Sequence, residues 1–541
     1  MAETMLYGVG GRNLRAWSAK GESVRRAPAP AGLALSCERV SATLIVLVIA
    51  SFVLWMQLST YPNHDVAWIL WGTREMLRGA TFGRDIIEPN PPLAWYLSMP
   101  TTALAMWFHL PLDWTFRGAV AVAGACSAAS LAWLAPRQRS FAGAIGLCAI
   151  AAVSLLLLPG REFGQREHLF AIATLPYLAL AARWIDGSPS SRPVIRFLVG
   201  AFAGLGIALK PYFLVTPLAV ELGLFIFSSR RPALVRAENL AIAVVCAIYA
   251  AWVVCFEKPY ILEAAPLANE IYWSFNRPIA RIIPPLILQL LVAAPPAIVA
   301  MRKRDAFGII SAFAWCGFAA SYVIQHKGYG YHLLPVVIAT FLLIGCVLTN
   351  VAVSRAVKIV AAGLAVIFSW PSFAPVVGWW QINRPGGQRA VEIERLLASI
   401  DHHATNGRFL AIAVHPYPSF PTAIYSSARY TARTNSQWFL PAVVQIRGHE
   451  TSEYDASSIE QDAREFILHD LREKPDIVLI DTDSARHTVG SSKFDFLSFY
   501  REDAAFRALW SNYREIEPID RYRQFVLVKG DAPTKPSGAA Q

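Results

Sequence analysis

Residues 61–96 hold the densest group of side chains that could do chemistry in this chain. They read YPNHDVAWILWGTREMLRGATFGRDIIEPNPPLAWY and follow directly on an apolar run over residues 40–59. A carboxylate such as Asp65, held close to a membrane surface, can deprotonate a hydroxyl or bind a divalent metal. Acids in such a position can also simply solvate a loop, and that alternative stays open. The candidate substrate-binding residues further along the stretch are Asp85, Glu88 and Asn90.

A second group of ionisable residues lies in the sequence GREFGQREHL, between two later apolar runs. Five ionisable side chains within eight residues at a bilayer boundary are more than anchoring requires. They belong either to a reaction centre or to an internal Arg–Glu network that holds two helices together. The group comprises Arg161, Glu162, Arg166, Glu167 and His168.

Two further loops place aromatic rings beside charges. This pattern is typical of carbohydrate binding, because sugar CH faces stack on rings while sugar hydroxyls take hydrogen bonds. The loop over residues 257–281 contributes Trp273, and the sequence IQHKGYGYHLLP contributes a candidate phosphate contact, Lys327. The alternative for both loops is an aromatic belt at the membrane interface. The candidate sugar contacts in the second loop are Tyr329, Tyr331 and His332.

The elements that must position these residues are membrane helices. The chain has 541 residues, of which 55% are hydrophobic and 16% charged, whereas soluble domains carry about 25% charged residues. Twelve apolar runs lie between residues 40 and 379, and backbone in hydrocarbon must satisfy its hydrogen bonds within a helix. The pattern over residues 65–79 predicts a short interfacial amphipathic helix, and Pro91 with Pro92 predicts the start of the next membrane helix.

The distribution of charge gives an orientation. Five of the loops together hold 13 Lys and Arg against three acids, which predicts that they are cytoplasmic, and the alternating loops are mixed in charge. The basic arm and the loop of Arg139 are both predicted to be cytoplasmic, so an even number of spans must lie between them, but the sequence has three apolar runs there. We therefore expect either 11 or 13 spans, with a cytoplasmic N-terminus and a periplasmic C-terminus. Residues 380–541 hold 19 basic and 21 acidic residues, so the net charge of +11 does not indicate nucleic-acid binding.

The predicted organisation has four parts. Residues 1–39 form a basic cytoplasmic arm, and residues 40–379 form the membrane domain. Residues 380–531 have no long apolar run, and short strand patterns alternate there with helical ones, which predicts a small soluble periplasmic α/β domain. The tail over residues 532–541 is expected to be disordered. The fold class is therefore a polytopic α-helical membrane protein with a C-terminal α/β domain.

The chain resembles the C-type glycosyltransferases that use polyprenyl-phosphate sugars, among them the protein O-mannosyltransferases and the lipid A aminoarabinose transferases. The resemblance rests on Asp65 shortly after the first span and on the PPL sequence at Pro91, Pro92 and Leu93. It also rests on the LGIALKPYF turn, which contains Lys210. One departure is Asn90, because the aminoarabinose transferases have a lysine directly before the PPL sequence.

The resemblance implies roles for several of these residues. Asp65 would be the main acid, as general base or as ligand to Mg²⁺ or Mn²⁺, and Glu162 or Glu167 would be the second active-site acid. Lys210 would contact the donor phosphate, although a lysine at a membrane boundary often only snorkels. The cation missing at Asn90 would come from other candidate phosphate contacts, namely Arg161, Arg166 and Lys327.

These expectations define a function. The chain would be an inverting glycosyltransferase of the bacterial inner membrane that moves a sugar from a polyprenyl-phosphate carrier to an envelope glycan, lipid or protein. The sequence contains no nucleotide-binding glycine loop, in agreement with a lipid-linked donor. Its partners would be membrane lipids and these substrates, and no nucleic acid. The rival interpretation is a transporter or flippase of a lipid-linked saccharide, whose site would lie near the bilayer midplane.

Overall fold

The computed structural model describes residues 31–136, 139–188, 192–228, 235–448, 456–483, 489 and 494–528. The predicted tail and residues 1–30 of the predicted arm lie outside the described residues. The helices before residue 384 are α1 (Ala31–Leu58), α2 (His64–Leu77), α3 (Leu93–Phe108), α4 (Leu112–Leu134), α5 (Phe141–Ala152), α6 (Arg166–Ile185), α7 (Pro193–Ile207), α8 (Val215–Phe227), α9 (Ala237–Phe256), α10 (Ala265–Ile271), α11 (Ile279–Arg302), α12 (Ala306–Ile324), α13 (Gly330–Thr349) and α14 (Arg355–Asn383).

Eight of the described helices are long and apolar enough to cross a membrane, which makes the chain a multi-pass membrane protein. These are α1 from Ser36, α4, α6, α9, α11, α12, α13 and the helical stretch that contains α14. Three shorter apolar helices accompany them over Phe141–Leu157, Pro193–Ile207 and Pro211–Phe227. The first helix is described from Ala31 and so includes residues that precede the apolar run over residues 40–59.

The C-terminal part, residues 388–528, is built on one mixed sheet. The elements of this part are α15 (Gln388–His403), β1 (Arg408–Ile412), α16 (Ser419–Tyr425), β2 (Arg429–Tyr430), α17 (Leu440–Arg447), α18 (Ala456–Arg472), β3 (Ile477–Asp481), α19 (Phe496–Arg501), α20 (Ala504–Trp510), β4 (Tyr513–Ile519) and β5 (Tyr522–Leu527). The strands lie in the order β2-β1-β3-β5-β4, with β1 parallel to β2 and to β3, and β5 antiparallel to β3 and β4. The central strand β3 is buried along its whole length.

The C-terminal part packs on one end of the helix bundle, which we call the capped end. The backbone N–H of Ile87, which follows α2, donates to the carbonyl of Arg433 at 2.7 Å. Tyr61, just after α1, packs edge-on against Tyr425 of α16, with ring centroids 5.1 Å apart. The loops at the capped end are therefore covered by protein.

The structure corrects the prediction for α2. The sequence pattern predicts an amphipathic helix lying on the membrane interface, but α2 is buried over most of its surface. Trp68 and Trp71 stack on each other at 5.2 Å, and both rings pack edge-on against Phe420 of α16. The C-terminal part thus covers α2 through contacts with the rings of Trp68 and Trp71.

The ends of α3 lie on the same side of the bundle. As predicted from the two prolines, α3 begins at Leu93, directly after Pro92. The other end of α3 leads directly into α4. Arg117, in the second turn of α4, donates to the carbonyls of Gln57 and Thr60 at the end of α1. Both α3 termini are therefore at the capped end, although residues 93–110 form an apolar run.

The opposite end of the bundle is held by a buried ion pair. Arg139, between α4 and α5, donates to Asp305 at 2.9 Å, and Asp305 also accepts from Asn350 at 2.8 Å. Asp305 caps α12, and Asn350 follows α13. The three connections at this end are thereby fixed to one another.

Candidate active site

A polar chamber of about 270 Å³ lies at the capped end, beneath the C-terminal part. The start of α2, the loop before α6, the start of α13 and the segments that follow β1 and β2 contribute to its walls. The sequence-predicted residues that line it are Asp65, Glu88, Asn90, Arg161, Glu162, Arg166, Tyr329 and Tyr331.

Asn63 connects two of the acids that face the chamber, Asp65 and Glu162. Its side-chain oxygen caps α2 by accepting from the backbone N–H of Asp65 at 2.8 Å. Its side-chain nitrogen donates to Glu162 Oε2 at 3.0 Å. Asp65 lies in the first turn of α2, where the helix dipole favours a negative charge, and His64 Nε2 lies 3.6 Å from its Oδ1.

Glu162 is the acid whose proton affinity the fold changes most clearly. Burial raises the pKa of Glu162 to about 7, against the opposing charge of Arg161, while the charge of Asp65 adds to the increase. Its carboxylate accepts from Gln165 Nε2 at 2.6 Å and from Arg161 Nε at 3.3 Å. A carboxyl group with a pKa near neutrality can exchange a proton at working pH.

Glu88 and Arg166 form a second pair in the chamber. Glu88 is buried, and it accepts from Trp68 Nε1 at 2.9 Å and from Asn90 Nδ2 at 2.5 Å. Arg166 Nη1 lies 3.5 Å from Glu88 Oε1 and makes no hydrogen bond within the described residues. A buried guanidinium N–H without a close acceptor is suited to an anionic ligand group.

Lys210 and Glu167 pair with each other below the chamber and are not among the residues that line it. Lys210 Nζ lies 2.6 Å from Glu167 Oε1 and 3.0 Å from Gln325 Oε1, and His332 Nε2 lies 3.5 Å from the same Glu167 oxygen. Burial lowers the pKa of Lys210, while Glu167 opposes that effect. The geometry favours an internal ionic network over a direct phosphate contact for Lys210.

Three other predicted residues lie outside the chamber lining. Lys327 Nζ donates to the carbonyl of Tyr272 at 2.6 Å and to Asn276 Oδ1 at 2.8 Å, and burial lowers its pKa to about 8. Its amine therefore fastens two loops together. Asp85 is exposed and accepts from the backbone of Thr81, which fixes a turn. Trp273 does not line the chamber, but two other aromatic residues of the loop over residues 257–281 do, Tyr272 and Phe275.

Sequence reasoning missed the contribution of the C-terminal part to the chamber. Two of its segments reach the lining, one directly after β1 and one shortly after β2. Both strands are parallel, so their carboxyl ends meet at one sheet edge, where open α/β sheets bind ligands. The predicted strand over residues 409–414, followed by HPYP, contained this signal. The polar and aromatic residues missed are His415, Asn435, Ser436 and Trp438.

A larger cavity of about 800 Å³, which we call the groove, adjoins the chamber. One part of it lies among α11, α13 and α14 and is apolar, with lining residues that include Leu288, Leu333, Val337, Phe368 and Trp379. The groove and the chamber have lining residues in common, so that an elongated ligand could occupy both. The shared residues are His64, Arg161, Glu162, Gly330 and His415.

Asp65 is predicted as a possible ligand to Mg²⁺ or Mn²⁺. No group of three or more His, Cys, Asp and Glu side chains suited to a metal ion occurs in the part of the chain that the structure describes. The arrangement around Asp65 thus does not fit a metal held by such protein ligands, and no chemical step is assigned to one.

No protein-family model matches the chain, and no curated protein matches it. The chain is similar in structure to the Archaeoglobus fulgidus oligosaccharyltransferase in its apo form, with a TM-score of 0.43 and 12% identity, over 83% of this chain and 70% of that one. It is also similar to the Archaeoglobus fulgidus oligosaccharyltransferase AglB in complex with an inhibitory peptide and a dolichol-phosphate. That match has a TM-score of 0.41 and 11% identity, over 91% of this chain and 75% of that one.

Proposed function

We propose that this protein is a membrane glycosyltransferase that moves a sugar from a polyprenyl-phosphate carrier to a cell-envelope acceptor. One observation carries the proposal: an apolar groove among membrane helices joins a polar chamber that is lined by three acids and two arginines. A lipid-linked sugar has the matching polarity, with an apolar tail, a charged phosphate and a hydroxyl-rich head.

The donor can be placed by this polarity. Its tail lies in the groove among α11, α13 and α14, and its sugar lies in the chamber beside Glu88 and Asn90. The phosphate then lies near the shared residues, within reach of Arg161, whose side chain is 56% exposed, and close to Arg166. Guanidinium groups suit a phosphate leaving group because they donate paired charged hydrogen bonds.

Glu162 and Asp65 have different roles in the proposed reaction. Glu162 lines both cavities, so it can take the proton of an acceptor hydroxyl that attacks the anomeric carbon. The bond from that carbon to the phosphate oxygen breaks, and its electron pair leaves with the lipid phosphate. Asp65 lines the chamber beside the sugar, where its negative charge stabilises the positive charge that develops on the sugar ring. Attack opposite the leaving group inverts the anomeric centre.

The remaining predicted site residues have supporting roles. Lys210, Glu167 and His332 form a buried network, and Lys210 Nζ lies 5.6 Å from the centroid of the Tyr331 ring. Glu167 directly follows Arg166 in the chain, so we assign the three residues to positioning Arg166 and Tyr331. Lys327 joins the two loops from which Tyr272 and Tyr329 reach the chamber. Tyr329 and Tyr331 are sugar contacts, since both line the chamber.

The proposed topology has 11 crossings. The eight long apolar helices and the three shorter ones cross, whereas α3 begins and ends at the capped end. The loop of Arg139 and the other basic loops then lie together on the cytoplasmic side. The chamber and the C-terminal part face the periplasm of a bacterial inner membrane.

Reconstitution tests the function directly. The purified chain in nanodiscs should copurify with a polyprenyl phosphate that mass spectrometry of the lipid extract identifies. A synthetic undecaprenyl-phosphate sugar should lose its sugar to acceptors in an envelope extract, and the Glu162→Gln variant should bind the lipid without transferring. In proteoliposomes, movement of the donor between leaflets without any transfer would instead identify a flippase.

A further inference from the structure

We propose that the polar end of the groove, where it meets the sheet of the C-terminal part, is the acceptor site, and that the acceptor is a neutral, hydroxyl-rich glycan. The inference rests on the proposed function and names the substrate class that the same site takes. We call this region the strand-end mouth. It is formed by Arg389, Tyr417, Asp481, Asp483 and Arg521, all of which line the groove.

The sheet topology places these residues together. The strands β1 and β3 are parallel neighbours, so Tyr417, five residues past the end of β1, and Asp481, the last residue of β3, lie at one edge. The antiparallel strand β5 begins opposite the end of β3, with Tyr522 paired to Asp481, which brings Arg521 to the same edge. The carboxyl edge of an open α/β sheet is where such folds bind ligands.

The charges at the strand-end mouth are already matched. Arg521 Nη1 lies 2.7 Å from Asp483 Oδ2, and its Nε lies 3.8 Å from Asp481 Oδ1. Arg389 pairs with Glu392 at 3.1 Å. No cationic surplus is left to attract an anionic glycan or a phosphate, which argues against an acidic acceptor.

The same groups suit neutral sugar hydroxyls. The guanidinium of Arg389 lies over the ring of Tyr417 at 4.4 Å, so the aromatic residue is held in place beside the carboxylates. The side chains of Arg521 and Asp483 are about one-third exposed, so Arg521 can donate hydrogen bonds to a ligand and Asp483 can accept them. Planar paired donors and carboxylate acceptors match vicinal hydroxyls.

The strand-end mouth is connected to the proposed base. Tyr417 is linked to His415 through its backbone N–H, which donates to His415 Nδ1 at 3.0 Å. His415 and Glu162 both line the groove and the chamber. A glycan bound at the mouth can therefore direct a terminal hydroxyl toward Glu162 while the donor approaches from the apolar part of the groove.

The test uses the full chain in nanodiscs with maltotriose, mannotriose and chitotriose as neutral probes and trigalacturonic acid as the anionic probe. Saturation-transfer NMR should detect at least one neutral trisaccharide, and the paired substitution Asp481→Asn with Asp483→Asn should weaken its binding at least fivefold. The matched control is Glu515→Gln, which breaks an exposed ion pair between Glu515 on β4 and Arg523 on β5 of the same sheet, away from the groove. The control should bind the trisaccharide like the wild type.

The outcomes separate this inference from the function on which it rests. Native mass spectrometry of undecaprenyl phosphate, done on the same samples, reports the donor site, and both variants should retain that lipid. The acceptor assignment would be overturned if the wild-type protein bound only the anionic probe or bound no neutral probe. It would also be overturned if the paired variant bound the neutral probes as well as the wild type does. Loss of lipid binding by the wild-type protein would count against the proposed function instead.

Discussion

At the scale of single residues, the site depends on the different environments of two carboxylates that one asparagine connects. Asn63 holds the backbone of Asp65 with its oxygen and the side chain of Glu162 with its nitrogen. The sequence could predict both acids, since each lies beside an apolar run. It could not predict which residue Lys210 pairs with, because Glu167 is 43 positions away and meets it only when the helices pack.

The proposed base predicts a pH dependence. Glu162 must be deprotonated to accept a proton, and its pKa is raised to about 7. The value of kcat/KM for transfer should therefore fall as pH decreases below about 7, approaching tenfold per pH unit. The Glu162→Gln variant should lose about 10² or more of the activity together with this acidic limb. A variant that keeps the limb would show that another group titrates.

Asp65→Asn tests the electrostatic role. The substitution keeps the shape of the side chain but removes its charge, so turnover should decrease by about 10² or more. The affinity for the donor lipid should hardly change, because the charge that Asp65 stabilises develops only during the reaction. The stability should fall by no more than about 1 kcal/mol, the contribution of an acid in the first turn of a helix. Transfer at a rate close to wild type by the purified variant would remove Asp65 from the mechanism.

At the scale of helices and loops, burial separates the charged residues that line the cavities from those that do not. Lys210, Glu167 and His332 come from three elements and meet in a buried network, whereas Arg161 and Glu162 reach both cavities. Helical periodicity predicted that α2 exists but not that protein covers it. That cover comes from α16, more than 340 positions later, and no local pattern reports so distant a contact.

The buried network predicts a loss of stability instead of a loss of affinity. Lys210→Met leaves Glu167 buried beside an apolar side chain, which should cost about 3–5 kcal/mol. Differential scanning fluorimetry should show a clear decrease in Tm, and adding Glu167→Gln to the variant should restore part of it. If donor affinity fell while Tm stayed constant, Lys210 would be a phosphate ligand after all.

The apolar part of the groove predicts a steric effect on the donor lipid. Val337 lines the groove, so Val337→Trp should fill the space for the carrier and weaken binding of a long-chain polyprenyl phosphate about tenfold or more. A donor with a very short chain should be affected much less. The matched control is Val366→Trp on α14, where the valine is 73% exposed on the outer surface. Equal losses in the two variants would argue against a carrier in the groove.

At the scale of the whole molecule, a membrane chain is organised by which side of the bilayer each loop occupies. The positive-inside pattern predicted that side for most loops, but the apolar run over residues 93–110 left the count inconsistent near the N-terminus. The contacts of Arg117 with the end of α1 remove the inconsistency, since they return α3 to the capped end.

The proposed topology can be tested by labelling single cysteines in a background without the seven native ones. His109→Cys, just after α3, should react with a membrane-impermeant maleimide in cells whose outer membrane alone is opened. Asp520→Cys in the C-terminal part should react in the same way, whereas Lys303→Cys, between α11 and α12, should react only after the inner membrane is made permeable. A crossing α3 would place residue 109 with residue 303. If position 109 reacts only under the conditions in which position 303 reacts, the count of 11 crossings is rejected. If position 520 is protected until the inner membrane is made permeable, the whole proposed site lies in the cytoplasm.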